Sequence, residues 1–301
     1  KNPKEAENIT DLSYSHVKYI NKKLKKNKKI SDEIRLAKAF CYANKCYGAE
    51  SYINGFSGYS IELLIYYYGS FLKFIKAVAK ARERVIIDIE KHYKNKKQIL
   101  MDLNSSKLQS PIILIDPTFK QRNASAALSK ETFEKFKETC RKFLANPNTE
   151  AFEIQKKDLE KIKRNAEKKK YEFILAEVKT DKQEGDIAGS KLFKFYNFLG
   201  KEIDRLFIVK DRGFNYNEKK SARYYFVAKS RGEILIEGPS TKQTEHLKAF
   251  EKIHKDYSIK RGKVYAREKI DFSLKKFIEK WREKNKRTMK DMSIVGLEIV
   301  D

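Results

Sequence analysis

The chain has 301 residues, and its 67 Lys and Arg residues exceed its 41 Asp and Glu residues, which gives a formal net charge of +26 at pH 7. Apolar residues make up 41% of the sequence, enough for real hydrophobic cores, so general disorder is excluded. No apolar run approaches the roughly 18 residues that a membrane span needs, and we expect a soluble protein. The length predicts two domains, and the charge predicts a polyanionic partner, nucleic acid in preference to a membrane surface.

The sequence begins without Met and without an apolar leader, so we expect that processing or truncation has removed its start. Its three cysteines, Cys41, Cys46 and Cys140, are too few for a disulfide framework. The four-residue gap between the first two matches no common zinc spacing. We therefore expect buried thiols in a reducing compartment, and hence a cytoplasmic protein.

Helical periodicity dominates the first half of the chain. Ser-Asp-Glu at 31–33 predicts the start of one helix, and apolar spacing predicts a second, long helix over 59–84. An apolar run between two prolines, 111–117, predicts one buried strand. Residues 129–144 predict another amphipathic helix, which ends at Asn-Pro-Asn (146–148), and this punctuation predicts the domain boundary.

The second half has a different character, because strand-like segments alternate with helical ones. We assign strands to 171–178, 206–211, 222–229, 233–237 and 263–268, and helices to 187–203 and 241–254. Apart from one extra strand, the order β-α-β-β-α-β is that of a ferredoxin-like sheet, a plan that RNA-recognition modules share. Three consecutive aromatic residues at 224–226 suggest base stacking, but we favour the interpretation that alternate members fill the core. The Lys-rich segment 272–288, which contains Trp281, predicts a helix that packs on the rest of the protein, in preference to a membrane anchor.

Several sequence blocks, in one order, carry a resemblance to a known family. They are DLSYSHVKY at 11–19, EIRLAK at 33–38, YGAE at 47–50, GFSGYSIELL at 55–64, YGSF at 68–71, DPTFKQRNASAAL at 116–128 and GP at 238–239. Together they resemble the archaeal (class I) CCA-adding enzymes, the tRNA nucleotidyltransferases that complete tRNA 3′ ends. The resemblance covers the family's helical neck, its RNA-binding body and its tail, but not its N-terminal head.

This resemblance implies an α+β fold with two parts. Residues 1–147 are expected to form a mainly helical nucleotide- and acceptor-end-binding domain, the family's second domain. Residues 148–301 are expected to form a ferredoxin-like, RRM-like tRNA-binding body, with a helical tail from about residue 269.

In the family, the head holds two metal ions with a Gly-Ser motif followed by Asp-x-Asp. The resemblance therefore implies that the catalytic carboxylates and Mg²⁺ belong to a head outside this sequence, so this chain alone is expected to be inactive. One pattern imitates the motif, namely Gly69 and Ser70 followed by Asp88 and Glu90. We reject it because the spacer is long and residues 71–84 have helical periodicity. Gly69 beside the small Ser70 is expected instead to allow close packing of helices.

The resemblance also implies five nucleotide-binding residues. Lys38 and Tyr47 match positions that give a cation and a hydroxyl to the incoming triphosphate, and His16 matches a histidine that contacts the nucleotide. Arg122, in a block with Asn123, matches the arginine that reads the Watson–Crick edge of the incoming base. A guanidinium presents donors in a fixed fork. C and A share an acceptor beside an exocyclic amine, whereas U and G present the reverse, so such a fork can accept the first pair and refuse the second.

Two interpretations stay open for Glu62, which either positions Arg122 or a backbone donor, or pairs with a neighbouring Lys. The function that the resemblance implies is tRNA 3′-end maturation. The head would add C, C and A from CTP and ATP, while this chain supplies base selection and binds the acceptor–TΨC arm of tRNA. The alternatives are a non-catalytic RNA-binding protein derived from that enzyme, and a complete enzyme using Asp88 and Glu90. Whether the head is a separate polypeptide, and whether the protein forms a homodimer, stay open.

Overall fold

The computed structural model describes residues 9–25, 29–155 and 157–300, with side chains from residue 13 onward. The chain divides into two compact units, one up to Lys157 and one from Asp158. The boundary predicted at 147/148 lies earlier in the chain than this division. Residues after it still belong to the first unit, because Phe152, in a short 3-10 turn, packs on Phe40 in the core of that unit. No helix in these described ranges is both long enough and apolar enough to cross a membrane.

In the described part of the first unit, helices surround a small three-stranded sheet. Its elements are α1 (Ile9–Leu24), α2 (Lys29–Ala43), α3 (Gly58–Tyr68), α4 (Phe71–Lys80), β1 (Val85–Ile87), α5 (Lys96–Asp102), β2 (Ile112–Asp116), β3 (Phe119–Asn123) and α6 (Lys130–Ala145). Strand β2 lies in the middle, parallel to β1 and antiparallel to β3. The predicted buried strand is confirmed as β2, all of whose residues are buried, and the predicted helix at 129–144 is confirmed as α6.

The single helix predicted over 59–84 is wrong, because the chain turns at Gly69 and Ser70. Gly69 ends α3 with a positive φ of 80°, and its N–H donates to the Ile65 carbonyl at 2.8 Å. Ser70 then begins α4, with its hydroxyl accepting from the Lys73 N–H. A Cβ added at Gly69 would meet no atom within 4 Å, so close helix packing is not what requires this glycine. The left-handed backbone conformation is the requirement.

The core of the first unit is rich in phenylalanine. Phe40, Phe56, Phe74 and Phe136 are fully buried, and the rings of Phe56 and Phe136 meet edge to face at 4.9 Å between centroids. These residues bring α2, α4 and α6 together around one cluster. The three cysteines are buried free thiols in the same unit, as the sequence predicted.

The second unit contains two separate sheets. Its elements are α7 (Leu159–Lys168), β4 (Glu172–Thr180), α8 (Asp186–Leu206), β5 (Phe207–Tyr216), β6 (Ser221–Ser230), β7 (Glu233–Ser240), α9 (Thr244–Ile253), β8 (Tyr257–Lys260), β9 (Lys263–Lys269), α10 (Leu274–Lys284), α11 (Lys286–Asp291) and β10 (Ile294–Ile299). The first sheet has the order β10-β4-β6-β5, and the second has the order β7-β9-β8.

The first of these sheets confirms the ferredoxin-like plan but changes its members. Counted along the chain, its strands lie in the order fourth, first, third and second, and every neighbouring pair is antiparallel. The strand predicted at 263–268 and the helix predicted at 241–254 do not belong to this sheet, because β7, α9, β8 and β9 form a separate insertion. Strand β10 and helix α10 take their places. Trp281 of α10 packs 6.1 Å from Phe195 of α8 between ring centroids.

Both faces of the central strand β6 are covered. Tyr224 and Phe226 are fully buried in the core that α8 and α10 share. Tyr225 points to the opposite face, where it is 5% exposed and packs in one cluster with Ala166 of α7. The core-filling interpretation of these three aromatic residues is therefore confirmed.

Candidate functional site

A buried carboxylate, Asp116, lies at the centre of one cluster in the first unit. It is the last residue of β2, and none of its surface is exposed. Its Oδ2 lies 2.9 Å from Nε2 of His16 and 2.8 Å from Nη1 of Arg122. Those two nitrogen atoms are 2.9 Å apart, although the residues are separated by 106 positions in the sequence. The structure thus brings two of the predicted site residues together on a third residue.

The other oxygen of Asp116 is fixed by local sequence. Its Oδ1 accepts from the backbone N–H of Thr118 at 2.9 Å and from the Thr118 hydroxyl at 2.8 Å, a turn that Pro117 favours. The Tyr59 hydroxyl also donates to Oδ1, at 3.1 Å. The Tyr59 ring stacks on the His16 ring with centroids 4.0 Å apart. Because both oxygens have partners, the negative charge can be buried without an unpaired acceptor.

The electrostatics of this cluster keep Asp116 ionised. Burial alone raises the pKa of Asp116, but hydrogen bonds from His16 and Thr118 outweigh it and hold the pKa well below its usual range. Burial, together with the nearby Asp116 charge, raises the pKa of Tyr59 well above its usual value, so Tyr59 stays a neutral donor. The Arg122 side chain is 28% exposed, and both of its contacts with residues that the structure describes use Nη1. Its Nε and Nη2 donors are therefore left for another group.

A second cluster forms around Gly58, the first residue of α3. A Cβ added there would lie 3.0 Å from the Tyr47 hydroxyl and 3.8 Å from Nζ of Lys38. One turn further along α3, Glu62 pairs with Lys38 at 2.6 Å, with the two side chains 25% and 32% exposed. Lys38 and Tyr47, predicted from separate sequence blocks, therefore meet at the same helix end.

Tyr47 is held in place by a close approach of two backbone segments. The Gly48 N–H donates to the Phe56 carbonyl and the Phe56 N–H donates to the Cys46 carbonyl, each at 2.8 Å. A Cβ added at Gly55 would lie 2.2 Å from the Cys46 carbonyl oxygen, so no other residue fits there without moving the backbone. Gly55 thus fixes the position from which Tyr47 reaches Gly58.

The two clusters join at the N-terminal end of α3. Gly58 lies against Lys38 and Tyr47, and the next residue, Tyr59, contacts His16 and Asp116. The first N–H groups of an α-helix and its dipole both favour an anion at this end. Lys38, the Tyr47 hydroxyl and a helix N-terminus therefore meet in a partly exposed region, and Arg122 is connected to it through Asp116 and Tyr59. This arrangement is suited to a phosphorylated ligand.

Asn123 and Glu62 have partners that limit what they can contact. Asn123 is 2% exposed, and its amide is fully used by backbone groups of the loop and strand behind Arg122: Oδ1 accepts from Leu114 and Ser125, and Nδ2 donates to Lys107 and Ile112. Its role as a nucleotide contact stays a prediction. Glu62 forms the ion pair with a neighbouring Lys that one interpretation proposed, and Arg122 is instead paired with Asp116.

Sequence reasoning missed Asp116 and Tyr59 as members of the site. The available signal was Asp-Pro-Thr at 116–118 directly after a wholly apolar strand, because a carboxylate there begins a turn and stays close to the core. The position of Tyr59 at the first turn of α3 gave no such signal, since an aromatic residue between Gly58 and Ser60 is as typical of a core position as of a site.

The motif formed by Gly69, Ser70, Asp88 and Glu90 does not assemble into a metal site. The Asp88 Oδ2 accepts from the Tyr93 N–H, and Glu90 accepts from the Tyr19 hydroxyl at 2.5 Å and pairs with Lys23 at 2.8 Å. The pKa of Glu90 is lowered by its hydrogen bonds from Lys23 and Tyr19. Over residues 9–25, 29–155 and 157–300, no three His, Cys, Asp or Glu side chains lie close enough to hold a metal ion.

Comparison with known proteins gives consistent matches. Residues 32–153 match the family model of the tRNA nucleotidyltransferase second domain. The CCA-adding enzyme of Nanoarchaeum equitans is 38% identical over 158 residues, which are 52% of this chain and 39% of that enzyme. The CCA-adding enzyme of Methanocaldococcus jannaschii is 31% identical over 270 residues, 87% of this chain and 58% of that enzyme. That of Pyrococcus abyssi is 36% identical over 151 residues, 50% of this chain and 33% of that enzyme.

This chain therefore spans between about a third and somewhat more than half of the length of these relatives. The residues matched by the family model include Lys38, Tyr47, Asp116 and Arg122, so both clusters lie largely within the shared domain. The chain is therefore similar to the archaeal CCA-adding enzymes, and residues 32–153 carry its similarity to the second domain of tRNA nucleotidyltransferases.

Proposed function

We propose that this chain binds the incoming CTP or ATP during addition of CCA to the 3′ end of tRNA, and that it selects the base. The observation that carries the proposal is that Lys38 and Tyr47 lie against Gly58 of α3, while His16, which contacts Arg122, stacks on the next residue, Tyr59. These residues come from sequence blocks that resemble the CCA-adding enzymes, and they meet only in the folded unit.

The triphosphate is assigned to the Lys38 side of the site. Lys38 supplies a cation, the Tyr47 hydroxyl can donate, and the first turn of α3 adds backbone N–H groups. The Lys38 and Glu62 side chains are about two-thirds and three-quarters buried, so their ion pair holds the ammonium near Gly58. A bound phosphate would then compete with Glu62 for the same ammonium.

The base is assigned to Arg122. Its guanidinium is always charged, and Nη1 is already engaged, so Nε and Nη2 are the donors that can meet an acceptor on the base. C and A present an acceptor next to an exocyclic amine, and a phosphate oxygen of tRNA beside the guanidinium would accept from that amine. U and G present the reverse order of groups and would face donor against donor.

We also propose that this chain binds the acceptor–TΨC arm of tRNA. A net charge of +26 favours binding to phosphates, and recognition by shape and backbone suits a substrate class made of many tRNAs. In the second unit, the hairpin of β8 and β9 carries exposed basic side chains, among them Lys260, Lys263 and Arg267. Such contacts hold RNA without reading its sequence.

Chemistry is proposed to depend on a metal-binding head, either fused to this chain or on another polypeptide. In the family the head binds Mg²⁺, which would activate the tRNA 3′ hydroxyl and neutralise the triphosphate. The described residues of this chain do not fit such a metal, because Asp88 and Glu90 are engaged with different partners and no third ligand is near.

The experiment is incorporation of radiolabelled CTP into tRNA lacking CCA, by this chain alone and with the N-terminal part of the Methanocaldococcus jannaschii enzyme added. Binding is measured in parallel by equilibrium dialysis of labelled CTP and UTP against the chain with the same tRNA. We expect retention of CTP over UTP by the chain, and incorporation only with the added head. Steeply salt-dependent tRNA binding without any preference for CTP would contradict base selection and favour a non-catalytic RNA-binding protein. Incorporation by the chain alone that is lost in the double variant Asp88→Ala, Glu90→Ala would contradict the need for a head.

A further inference from the structure

One oxygen atom and two nitrogen atoms of the site form a triangle of close contacts. Oδ2 of Asp116, Nε2 of His16 and Nη1 of Arg122 are separated by 2.8–2.9 Å on every side. Three hydrogen bonds cannot all exist at once in this triangle. Which of them holds the guanidinium follows from what each atom is able to donate or accept.

A guanidinium nitrogen only donates, and a carboxylate oxygen only accepts. The contact between Arg122 and Asp116 therefore holds whatever the state of the imidazole. The contact between Arg122 and His16 requires a lone pair on Nε2, whereas the contact between His16 and Asp116 requires a proton there. His16 can make one of these two bonds but not both, so Asp116 is the constant anchor of Arg122.

Asp116 is itself held independently of Arg122. Three donors fix its Oδ1, namely the backbone N–H and hydroxyl of Thr118 and the hydroxyl of Tyr59, and the side chain is fully buried. None of these donors touches the guanidinium. The carboxylate is therefore oriented before Arg122 meets it, and it presents Oδ2 in one direction across the turn between β2 and β3.

We propose that Asp116 is a positioning residue for base selection, because it fixes the plane of the Arg122 guanidinium and so decides which donors face the incoming base. This inference rests on the proposed function of Arg122. Without the anchor, the guanidinium turns about its terminal bonds and can present other donors, or none, to the base. C and U then differ less in binding energy, even though the positive charge of Arg122 stays in the site.

The test measures the ratio of dissociation constants for CTP and UTP, by equilibrium dialysis of each labelled nucleotide against the full chain with tRNA lacking CCA. The variants are Asp116→Asn, Arg122→Ala and the double variant. Asp88→Asn is the matched control, because it makes the same change at another carboxylate of the first unit. The Asp88 carboxylate accepts from the Tyr93 N–H. Circular dichroism verifies that each variant is folded.

We expect Asp116→Asn to reduce the preference for CTP at least fivefold, and Asp88→Asn to leave it unchanged. If Asp116 acts through Arg122, the double variant loses no more preference than Arg122→Ala alone. An equal loss of CTP and UTP binding in Asp116→Asn, or an additive loss in the double variant, would overturn the positioning role. A wild-type chain that does not discriminate would instead overturn the proposed function, and the positioning role with it.

Thr118→Val carries the same test if Asp116→Asn does not fold. The substitution keeps the volume and the backbone donor but removes the hydroxyl that holds Oδ1 at 2.8 Å. The carboxylate keeps its charge and loses part of its orientation. We expect a smaller loss of CTP preference, about threefold, with little change in UTP binding; an unchanged preference would overturn the proposal.

Discussion

Asp116→Asn should destabilise the first unit in a way that depends on pH. The carboxylate accepts hydrogen bonds on both oxygens, and it is fully buried. Asparagine can keep the bonds from Thr118 and Tyr59, but its NH₂ group then faces the Arg122 guanidinium, donor against donor. A hydrogen bond to a charged group is worth about 1.5–3 kcal/mol, and breaking a buried pair costs up to about 5 kcal/mol. Because Arg122 is partly exposed and can relax, we expect a loss of about 2–4 kcal/mol near pH 6.

The sign of the pH effect follows from the pKa of Asp116, which the folded protein holds below the ordinary value of 3.8. A depressed pKa contributes stability above the ordinary value, and this contribution is lost as the pH falls towards the folded-state pKa. The asparagine variant would have no such contribution at any pH, because its side chain does not titrate. The difference in unfolding free energy between wild type and variant should therefore be largest above about pH 5 and shrink between pH 4 and pH 2.5.

Urea unfolding followed by circular dichroism, at intervals from pH 6 to pH 2.5, measures this difference. Asp32→Asn is a suitable control, because that carboxylate is an exposed partner of Arg35 on α2, and its removal should shift the midpoint little at any pH. If the difference in unfolding free energy between the wild type and Asp116→Asn stays constant across this pH range, the reasoning is refuted, since the buried carboxylate would then contribute nothing as a charge.

Three further substitutions test separate parts of the site. Arg122→Ala should cost about 1–3 kcal/mol of discrimination between CTP and UTP in equilibrium dialysis, with Arg141→Ala, an α6 arginine bonded to the Ala79 carbonyl, as the unchanged control. Lys38→Ala should weaken CTP and UTP equally, by about tenfold, because it removes one charge-assisted contact; an effect seen only on tRNA binding by filter retention would count against the assignment. Gly55→Ala should lower the melting temperature through overpacking of about 1–3 kcal/mol and weaken both nucleotides, since its Cβ would meet the Cys46 carbonyl, whereas Gly296→Ala, with its nearest contact at 3.5 Å, should melt like the wild type.

The parts of the fold that could be predicted are those with a local cause. The apolar run of β2 and the amphipathic pattern of α6 stand out in the sequence, and the alternation in the second half identifies most of the strands of the sheet β10-β4-β6-β5. Strand β10 was missed, because Ile294–Ile299 pairs with β4 across more than a hundred residues and has no partner nearby in the sequence. Its absence from the prediction led to the wrong fourth strand.

The break between α3 and α4 shows a different limit. Apolar residues keep helical spacing on both sides of Gly69, so periodicity alone favours one helix, and only the positive φ of that glycine ends it. A glycine followed by serine is also the order of a helix C-terminus and the next N-cap. That combination outweighs a continuous apolar pattern when both are present.

Sequence blocks point to single residues of the candidate site but not to its organisation. Matching blocks point to Lys38, Tyr47 and Arg122 individually, because each has a side chain suited to phosphate or base. No local pattern shows that Arg122 depends on Asp116, since that pairing arises from the turn between β2 and β3 and from the arrival of α1 beside them. The selective power of an arginine lies in the direction of its donors, and direction is set by a buried neighbour. A sequence that keeps Arg122 but loses Asp116 should therefore keep the charge of the site and lose the base preference that we propose for it.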